Sequence, residues 1–333
     1  MMVVRPYSEI VHPKYISYNI KSYRNKIING TNGFISNVTN EILNNLMIPL
    51  PPIEEQQRIV DKIEELFRKL DEIKPLEEEL DIIKNKFTND IKKSILFNAF
   101  SENFSQENNS TDEITIKEQL KNIELERDKY YNKNRIKYKK TKIGPIYLTD
   151  DNYKLPNNWV YTSLKECSIC IFSGKSPQYS KTKNNNAIIG QQVNQEDKCH
   201  FEYLKYGTEE FVSNIPKYQY LTQNDVLLNT LGGGSVGRVG LFNFDKEYLT
   251  DGHIFVIRTN GLTVEKYIMY FLRLFRSKIE DIANGTTNQK FLNLSQVENF
   301  MIPLPSLEEQ QRIVDEIEKL LPICDDIDKI INI

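Results

Sequence analysis

Residues 48–66 read IPLPPIEEQQRIVDKIEEL, and residues 302–320 read IPLPSLEEQQRIVDEIEKL. Fifteen of the nineteen positions are identical, at a constant offset of 254. In each copy a proline-broken apolar run gives way to helical periodicity. Proline is disfavoured inside a helix but tolerated at its entrance, and the paired glutamates that follow sit where the helix dipole favours negative charge. The chain writes one helix entrance twice.

The match extends backwards. KYISYNIKSYRNKI (14–27) parallels KYIMYFLRLFRSKI (266–279), NGT recurs at 29–31 and 284–286, and VVR (3–5) resembles VIR (256–258). Residues 3–73 thus repeat 256–327. This spacing is far longer than the roughly 20–50 residues of a solenoid repeat, so the unit is a domain with its helix, duplicated. Nothing resembling 145–255 precedes residue 3, so the first copy reads as the tail of a domain without its front. Such a tail is expected to leave Val3, Val4, Tyr15, Ile16 and Tyr18 poorly covered.

The 333 residues, 39% apolar and 11% aromatic, suffice for two domains and a long connector. No apolar run reaches the roughly 20 residues that span a bilayer, and no signal-peptide core opens the chain, which predicts a cytoplasmic protein. Four cysteines provide no disulfide framework. The net charge of −3 decides nothing, because it is unevenly spread. Residues 54–81 carry eleven acids against five bases, 127–142 eight bases against one acid, and 150–300 sixteen of each.

After Pro52, Ile59, Ile63, Leu66, Leu70 and Ile73 alternate steps of four and three, and Leu76, Leu80, Ile83 and Phe87 continue the seam. Pro75 predicts a kink, since an interior proline costs about 3 kcal/mol. A seam this narrow needs a partner helix, and Ile313, Ile317, Leu320, Leu321 and Ile327 offer similar spacing. The competing reading is two unrelated surface helices with core stripes. Duplication favours pairing about a pseudo-twofold axis, because equivalent helices of equivalent units self-associate. Residues 101–118, rich in Ser, Asn, Glu and Thr, read as a linker. A basic helix over about 116–135 follows and ends in NKNRIKYKKTK, either a solvated charge run or a phosphate-backbone contact.

From Leu155 to Arg258 short β-like runs alternate with turn signals: WVYTSL, SICIF, AIIGQQV, DVLLNTL, VGLFNF and HIFVIR. Helices at 263–283 and 294–300 close this domain, with Trp159 as a core anchor. GGGSVGRVG (232–240) lacks the Lys-Ser/Thr of a nucleotide loop and lies between strands. It reads either as an empty tight turn or as a turn whose backbone approaches another molecule closely, with Ser235 and Arg238 at the rim. FSGKSP (172–177) and GTTNQK (285–290) combine Lys with small hydroxyls and amides, chemistry shared by phosphate and base-edge contacts and by solvated loops. Cys167, Cys170, Cys199 and His200 could form a zinc site only by converging. The CxxC lies in an apolar strand where Cys serves as a small hydrophobe, so no metal is expected. His12, His200 and His253 have no catalytic spacing. No nuclease carboxylate pair, nucleophile elbow or Asn-Pro-Pro-aromatic methyltransferase signature occurs, so no intrinsic catalysis is expected.

Together these segments resemble the DNA-specificity subunits of type I restriction–modification systems. IPLPPIEEQQRIVDKIEELFRKLDEI resembles the family's central conserved helix entrance, and IPLPSLEEQQRIVDEIEKLLPICDDI the distal one. LPNNWVYTSL resembles the opening of a target-recognition domain, LTQNDVLLNTLGGGSVGRVGLF its glycine-containing turn, and GTTNQKFLNLSQVENFMIPLP its close. The resemblance implies an α+β chain with a mainly β recognition domain, flanking helices, and two spacer helices paired as an antiparallel coiled coil. The implied organisation is a first-domain fragment (1–52), a central helix kinked near Pro75 (53–100), a linker and basic helix (101–144), a complete recognition domain (145–306) and a short distal helix (307–333).

The resemblance further implies that the recognition domain reads one half of a bipartite site in double-stranded DNA. Its expected contacts are Lys175, Ser176, Gln191, Gln192, Thr230, Gly234, Ser235, Arg238, Thr286, Thr287, Gln289 and Lys290. The helices, through Ile59, Ile63, Leu66, Leu70, Ile73, Ile313, Ile317 and Leu320, would set the spacing and dock adenine-methyltransferase subunits. A restriction/translocase subunit would join, with S-adenosylmethionine and ATP/Mg used by the partners and no cofactor in this chain. The chain departs from the family in having one complete recognition domain where a full subunit has two. Completion by another chain, pairing as a homodimer, and degeneration are the competing accounts. A scaffold that binds methyltransferase without reading DNA is the alternative function.

Overall fold

A computed structural model of the chain describes residues 5–7, 9–23, 44–101, 112–137, 143–150, 152–195, 198–199, 201–286 and 289–331. The duplication written in the sequence reappears as duplicated hydrogen bonding. Helix α1 (Pro13–Ser22) and helix α2 (Ile53–Ala99) belong to the first copy. Helix α5 (Glu265–Leu274) and helix α8 (Leu307–Ile331) are their counterparts in the second. At the start of α2, buried Gln56 accepts from the backbone N–H of His12 (2.8 Å) and donates to the carbonyls of Pro51 (2.7 Å) and Ile10 (3.0 Å). At the start of α8, buried Gln310 accepts from the N–H of Val264 (3.0 Å) and donates to the Pro305 carbonyl (2.9 Å). Tyr15 donates its hydroxyl to Pro49 as Tyr267 does to Pro303. Lys14 pairs with Glu64, and Lys266 with Glu318. In each copy a glutamine thus satisfies a helix-entrance N–H and a carbonyl that prolines strand outside any ladder.

Met1–Lys86 and Phe87–Ile333 form two compact units, and α2 contributes to both. In the first unit α1 lies along the start of α2, with the Tyr18 and Phe67 rings 5.8 Å apart. Tyr15 is buried, which corrects the expectation that it would be left uncovered; Ile16 and Tyr18 are half-buried, and Val3 and Val4 lie outside the described residues. Leu50, by contrast, is 53% exposed, whereas its counterpart Leu304 is fully buried against a strand. Helix α2 runs without interruption through Pro75. Along it Ile59 and Ile63 are half-buried, and Leu66, Leu70, Ile73, Leu76, Leu80 and Ile83 are 47–63% exposed.

The second unit holds the sheets. Strands β1 (Ile146–Tyr147), β2 (Val160–Ser163), β3 (Cys170–Ser173), β4 (Ala187–Ile189), β5 (Asn194–Gln195) and β6 (Lys198–Cys199) come first. Strands β7 (Lys205–Tyr206), β8 (Val226–Asn229), β9 (Val239–Leu241), β10 (Leu249–Thr250), β11 (Ile254–Arg258) and β12 (Phe300–Leu304) follow. All six apolar runs singled out in the sequence contain a strand. The central sheet is antiparallel in the order β3-β11-β8-β9; a second sheet runs β1-β12-β2, a third β10-β4-β7, and β5 pairs with β6. These are open sheets, and with the helices they make an α+β fold.

Helix α3 (Asp112–Asn134) precedes the strands, and α4 (Glu209–Ser213), α6 (Arg276–Ile282) and α7 (Leu294–Glu298) lie between them in the chain. The main core packs α5 against β8, β9 and β12 and takes in Phe100, Trp159, Tyr267 and Phe271. Phe100 packs its ring tilted against Tyr267 at 5.0 Å and edge-on against Phe271 at 5.4 Å, anchoring the end of α2 in this core. Ile313 and Ile317 are fully buried in the same cluster, so the first turns of α8 turn their seam toward their own domain; Leu320 is half-buried. Farther along, Thr88 bonds Asp328 at 3.0 Å and Lys92 pairs with Asp325 at 2.6 Å. Residue numbers rise along one helix as they fall along the other, so the final turns of α2 and α8 pair antiparallel.

A buried ion pair fastens α3 to the central sheet. Arg258, at the end of β11, donates to both carboxylate oxygens of Asp225 (2.8 and 2.6 Å), to the Tyr130 hydroxyl (2.8 Å), and to the carbonyls of Tyr218 and Tyr220 (2.9 and 2.7 Å). Burial opposes the guanidinium charge, but the hydrogen bonds to Asp225 outweigh it and raise Arg258 above its ordinary value.

Two stability predictions follow from these contacts. Gln310→Leu leaves the Val264 N–H without its acceptor, and urea unfolding is expected to register a loss of about 1–3 kcal/mol. Gln311→Leu, on the exposed face of the same turn, is expected to change it by less than about 0.5 kcal/mol. Arg258→Met strands the Asp225 carboxylate in the core, a loss of about 3–5 kcal/mol in the same assay.

Candidate nucleic-acid interface

Four segments distant in sequence are stitched to the ends of the central strands. The first follows β3. At Gly174 a Cβ would lie 2.0 Å from the Thr250 carbonyl oxygen, so only glycine permits this backbone approach. Lys175 and Ser176 then lie exposed beside Gly252. The second is the turn after β4, which carries Gln191 and Gln192 and is held by buried amides. Asn194 donates to the Asn229 side chain (2.9 Å) and the Leu227 carbonyl (3.0 Å), while Asn229 donates to the carbonyls of Gln191 (3.1 Å) and Asn194 (3.2 Å). The third is the glycine turn between β8 and β9. Gly232 has φ +95°, a left-handed conformation, and its N–H donates to the Lys290 carbonyl at 2.9 Å. The fourth, made of 284–286 and 289–292, pairs back through Leu231 with Phe291 and through the Leu292 N–H to the Thr230 carbonyl (2.9 Å). Thr230 in turn donates its N–H to the His253 carbonyl (2.9 Å), closing the circuit to the loop after β10.

The expected contact residues come together, though not all present a side chain outward. Lys175, Ser176, Gln192, Gly234, Thr286 and Gln289 are exposed. Thr230 is buried, and Ser235 spends its hydroxyl inside the turn on the Leu231 carbonyl (2.6 Å). Both shape the turn. Arg238 is half-buried and bonds Gln195. Lys290 reaches the Glu280 carbonyl at 2.8 Å, with Asp281 at 3.8 Å. Thr287 lies outside the described residues.

Arg276 joins the rim unforeseen, donating to the Gly234 carbonyl (2.8 Å) from α6. Lys205, Asp251 and His253 gather beside Gln191. Asn229 was legible as a polar break in the apolar run VLLN; Asp251 and His253 carried no spacing that would single them out. On the basic helix, Arg127 is buried and donates to the Lys165 carbonyl (2.7 Å), so this cation holds α3 to the domain. Cys167 and Cys170 are buried, and burial pushes both thiols up to about 12. The Cys199 side chain and His200 lie outside the described residues.

The sequence profile described as the type I restriction modification DNA specificity domain matches residues 1–81 and 156–333. The chain belongs to this family. It is 29% identical over 181 residues to the putative type I restriction enzyme MjaX specificity subunit of Methanocaldococcus jannaschii, covering 53% of this chain and 40% of that protein. It is 22% identical over 329 residues to the MjaVIII specificity subunit of the same organism, covering 96% of this chain and 66% of that protein. The chain therefore spans less than two thirds of the length of either relative. Among solved structures, a chain from work on complex assembly and conformational transition of the type I R-M system shares the fold. Its TM-score is 0.55 at 17% identity, over 99% of this chain and 68% of that one. No helix among the described residues is long and apolar enough to cross a membrane.

The glycine backbone at residue 174 makes a direct prediction for this face. Gly174→Ala forces residues 174–176 away from 250–252. The variant is expected to gain amide hydrogen exchange in both segments, while amides of β11 and β8 keep their protection.

Proposed function

We propose that this chain is a DNA-reading adaptor of a type I restriction–modification complex, with residues 145–306 recognising one half of a bipartite duplex target. The observation that carries this reading is the stitched surface. Amides, hydroxyls and cations from four segments are brought together there on backbone that glycines allow to approach closely. Base edges are read by such amide and guanidinium groups, and phosphates are positioned by lysines and small hydroxyls. Lys175, Gln192, Thr286 and Gln289 are the outward groups for direct contact. Arg238 and Arg276 supply charge at the rim of the turn, and Thr230 and Ser235 act by shaping it.

The helices have a separate role. A long stripe of half-exposed Leu and Ile on α2, from Leu66 to Ile83, requires a cover, and protein partners are its natural occupant. We assign it to adenine-methyltransferase subunits, joined by a restriction/translocase subunit for cleavage. S-adenosylmethionine and ATP/Mg would be used by these partners. The same stripe supports the second reading, a scaffold that docks methyltransferase without reading DNA.

Sequencing the methylated bases of a host that carries this chain with its methyltransferase separates the two. A bipartite or palindromic adenine motif is expected, and Arg238→Ala is expected to abolish or relax it at one half-site. A motif that is indifferent to this chain would defeat the reader and leave the scaffold.

A further inference from the structure

A cleft of about 210 Å³ opens beside the stitched surface, lined by Tyr179, Gln191, Tyr203, Lys205, Asp251 and His253 among others. Two of its lining side chains, Asp251 and Gln191, offer hydrogen-bond acceptors. Asp251 is 7% exposed, and its Oδ1 accepts from the His253 N–H at 2.9 Å. Its Oδ2 lies against Gly190, 2.8 Å from where a Cβ would stand, so the absent side chain leaves that oxygen uncovered on this side. Gln191 lines the same cleft, and its Oε1 is buried and accepts no hydrogen bond. Burial raises the Asp251 carboxyl above the ordinary carboxylate range, against the pull of the His253 N–H and of Lys205. Lys205 itself lies over the Tyr179 ring at 4.9 Å.

Two acceptors lining one cleft select a donor. A phosphate would meet the carboxylate's charge. The keto oxygens of guanine and thymine would set acceptor against acceptor. Cytosine and adenine both present an exocyclic amine, N4 or N6, in the major groove. We propose that this cleft is a specificity-determining subsite that receives the exocyclic amine of one cytosine or adenine in the target, with Asp251 and Gln191 as its acceptors. This rests on the DNA-reading function above and deepens it. The amine belongs either to a base still stacked in the duplex or to one that leaves the stack and enters between Tyr179 and Tyr203.

The test is selection of bound duplexes from a randomised library by the full chain in complex with its methyltransferase. For the native chain one motif column should be A or C. Asp251→Asn keeps the acceptor for the His253 N–H but replaces the second oxygen by a donor, and should relax that column alone by about tenfold or more. Gln191→Met should weaken the same column. Removing the exocyclic amine from that base should weaken native binding by a similar factor and leave Asp251→Asn binding little changed. An unchanged motif in both variants, or an equal fading of every column, overturns the proposal. If Asp251→Asn fails to fold, an unchanged Gln191→Met motif overturns it alone. 2-Aminopurine fluorescence at an adenine in that column separates the sources, rising if the base unstacks and staying quenched if it is read in the groove. A native complex that selects no motif would defeat DNA reading itself, an outcome distinct from a native motif indifferent to Asp251.

Discussion

The interaction on which the architecture depends is a buried glutamine at a helix entrance. Prolines before α2 and α8 end a strand-like run and leave carbonyls that neither ladder nor helix can satisfy. Gln56 and Gln310 reach back to these carbonyls and across to the first turn of a preceding helix. One side chain thus ties three elements: the proline run, the long helix, and α1 or α5. Because both side-chain atoms are engaged and buried, the direction in which each helix leaves its unit is set by hydrogen-bond geometry as well as by packing. Tyr15 and Tyr267 reinforce the joint from the other side, each donating to a proline carbonyl.

With the helix exit set, the second unit can devote the ends of its central strands to a surface. The Arg258–Asp225 pair stiffens one end of that sheet and holds α3 to it. The Asn194–Asn229 amide pair organises the other. Both are buried polar devices that demand a particular arrangement, since an unpaired amide or charge in the core is far more costly than an apolar contact. The loops can therefore be polar and exposed while their backbones remain in register. Rigid supports beneath exposed polar side chains would suit the proposed reading of closely similar base edges.

The positions of the six strands were legible from the apolar runs, and the helix entrances from the repeat. The Lys-Ser, glycine-turn and Thr-Asn-Gln-Lys segments have compositions that nucleic-acid contacts and solvated loops share, so only the family resemblance placed them, with Gln191 and Gln192, on one expected surface. Their individual roles were not legible. Ser235 and Thr230 look like contact residues in the sequence, yet their partners are local carbonyls and buried backbone. Asp251 and His253 are not legible in the sequence, because an acid and an imidazole two residues apart carry no periodic signal. Their meaning comes from Gln191 and Lys205, more than forty residues away in the chain.

By itself the sequence determined the duplication, the strand and helix segments, and membership of a specificity-domain family, because these depend on local periodicity and on identical residues recurring at one offset. Only the tertiary structure decided which apolar seams are consumed. Ile313 and Ile317 are fully buried within their own domain, whereas their equivalents Ile59 and Ile63 are half-buried and Leu66 to Ile83 beyond them remain half exposed. The two helices begin with nearly the same text, so the difference lies in what packs against them. Burial is a property of neighbours, and neighbours distant in sequence leave no mark on the local pattern of a helix.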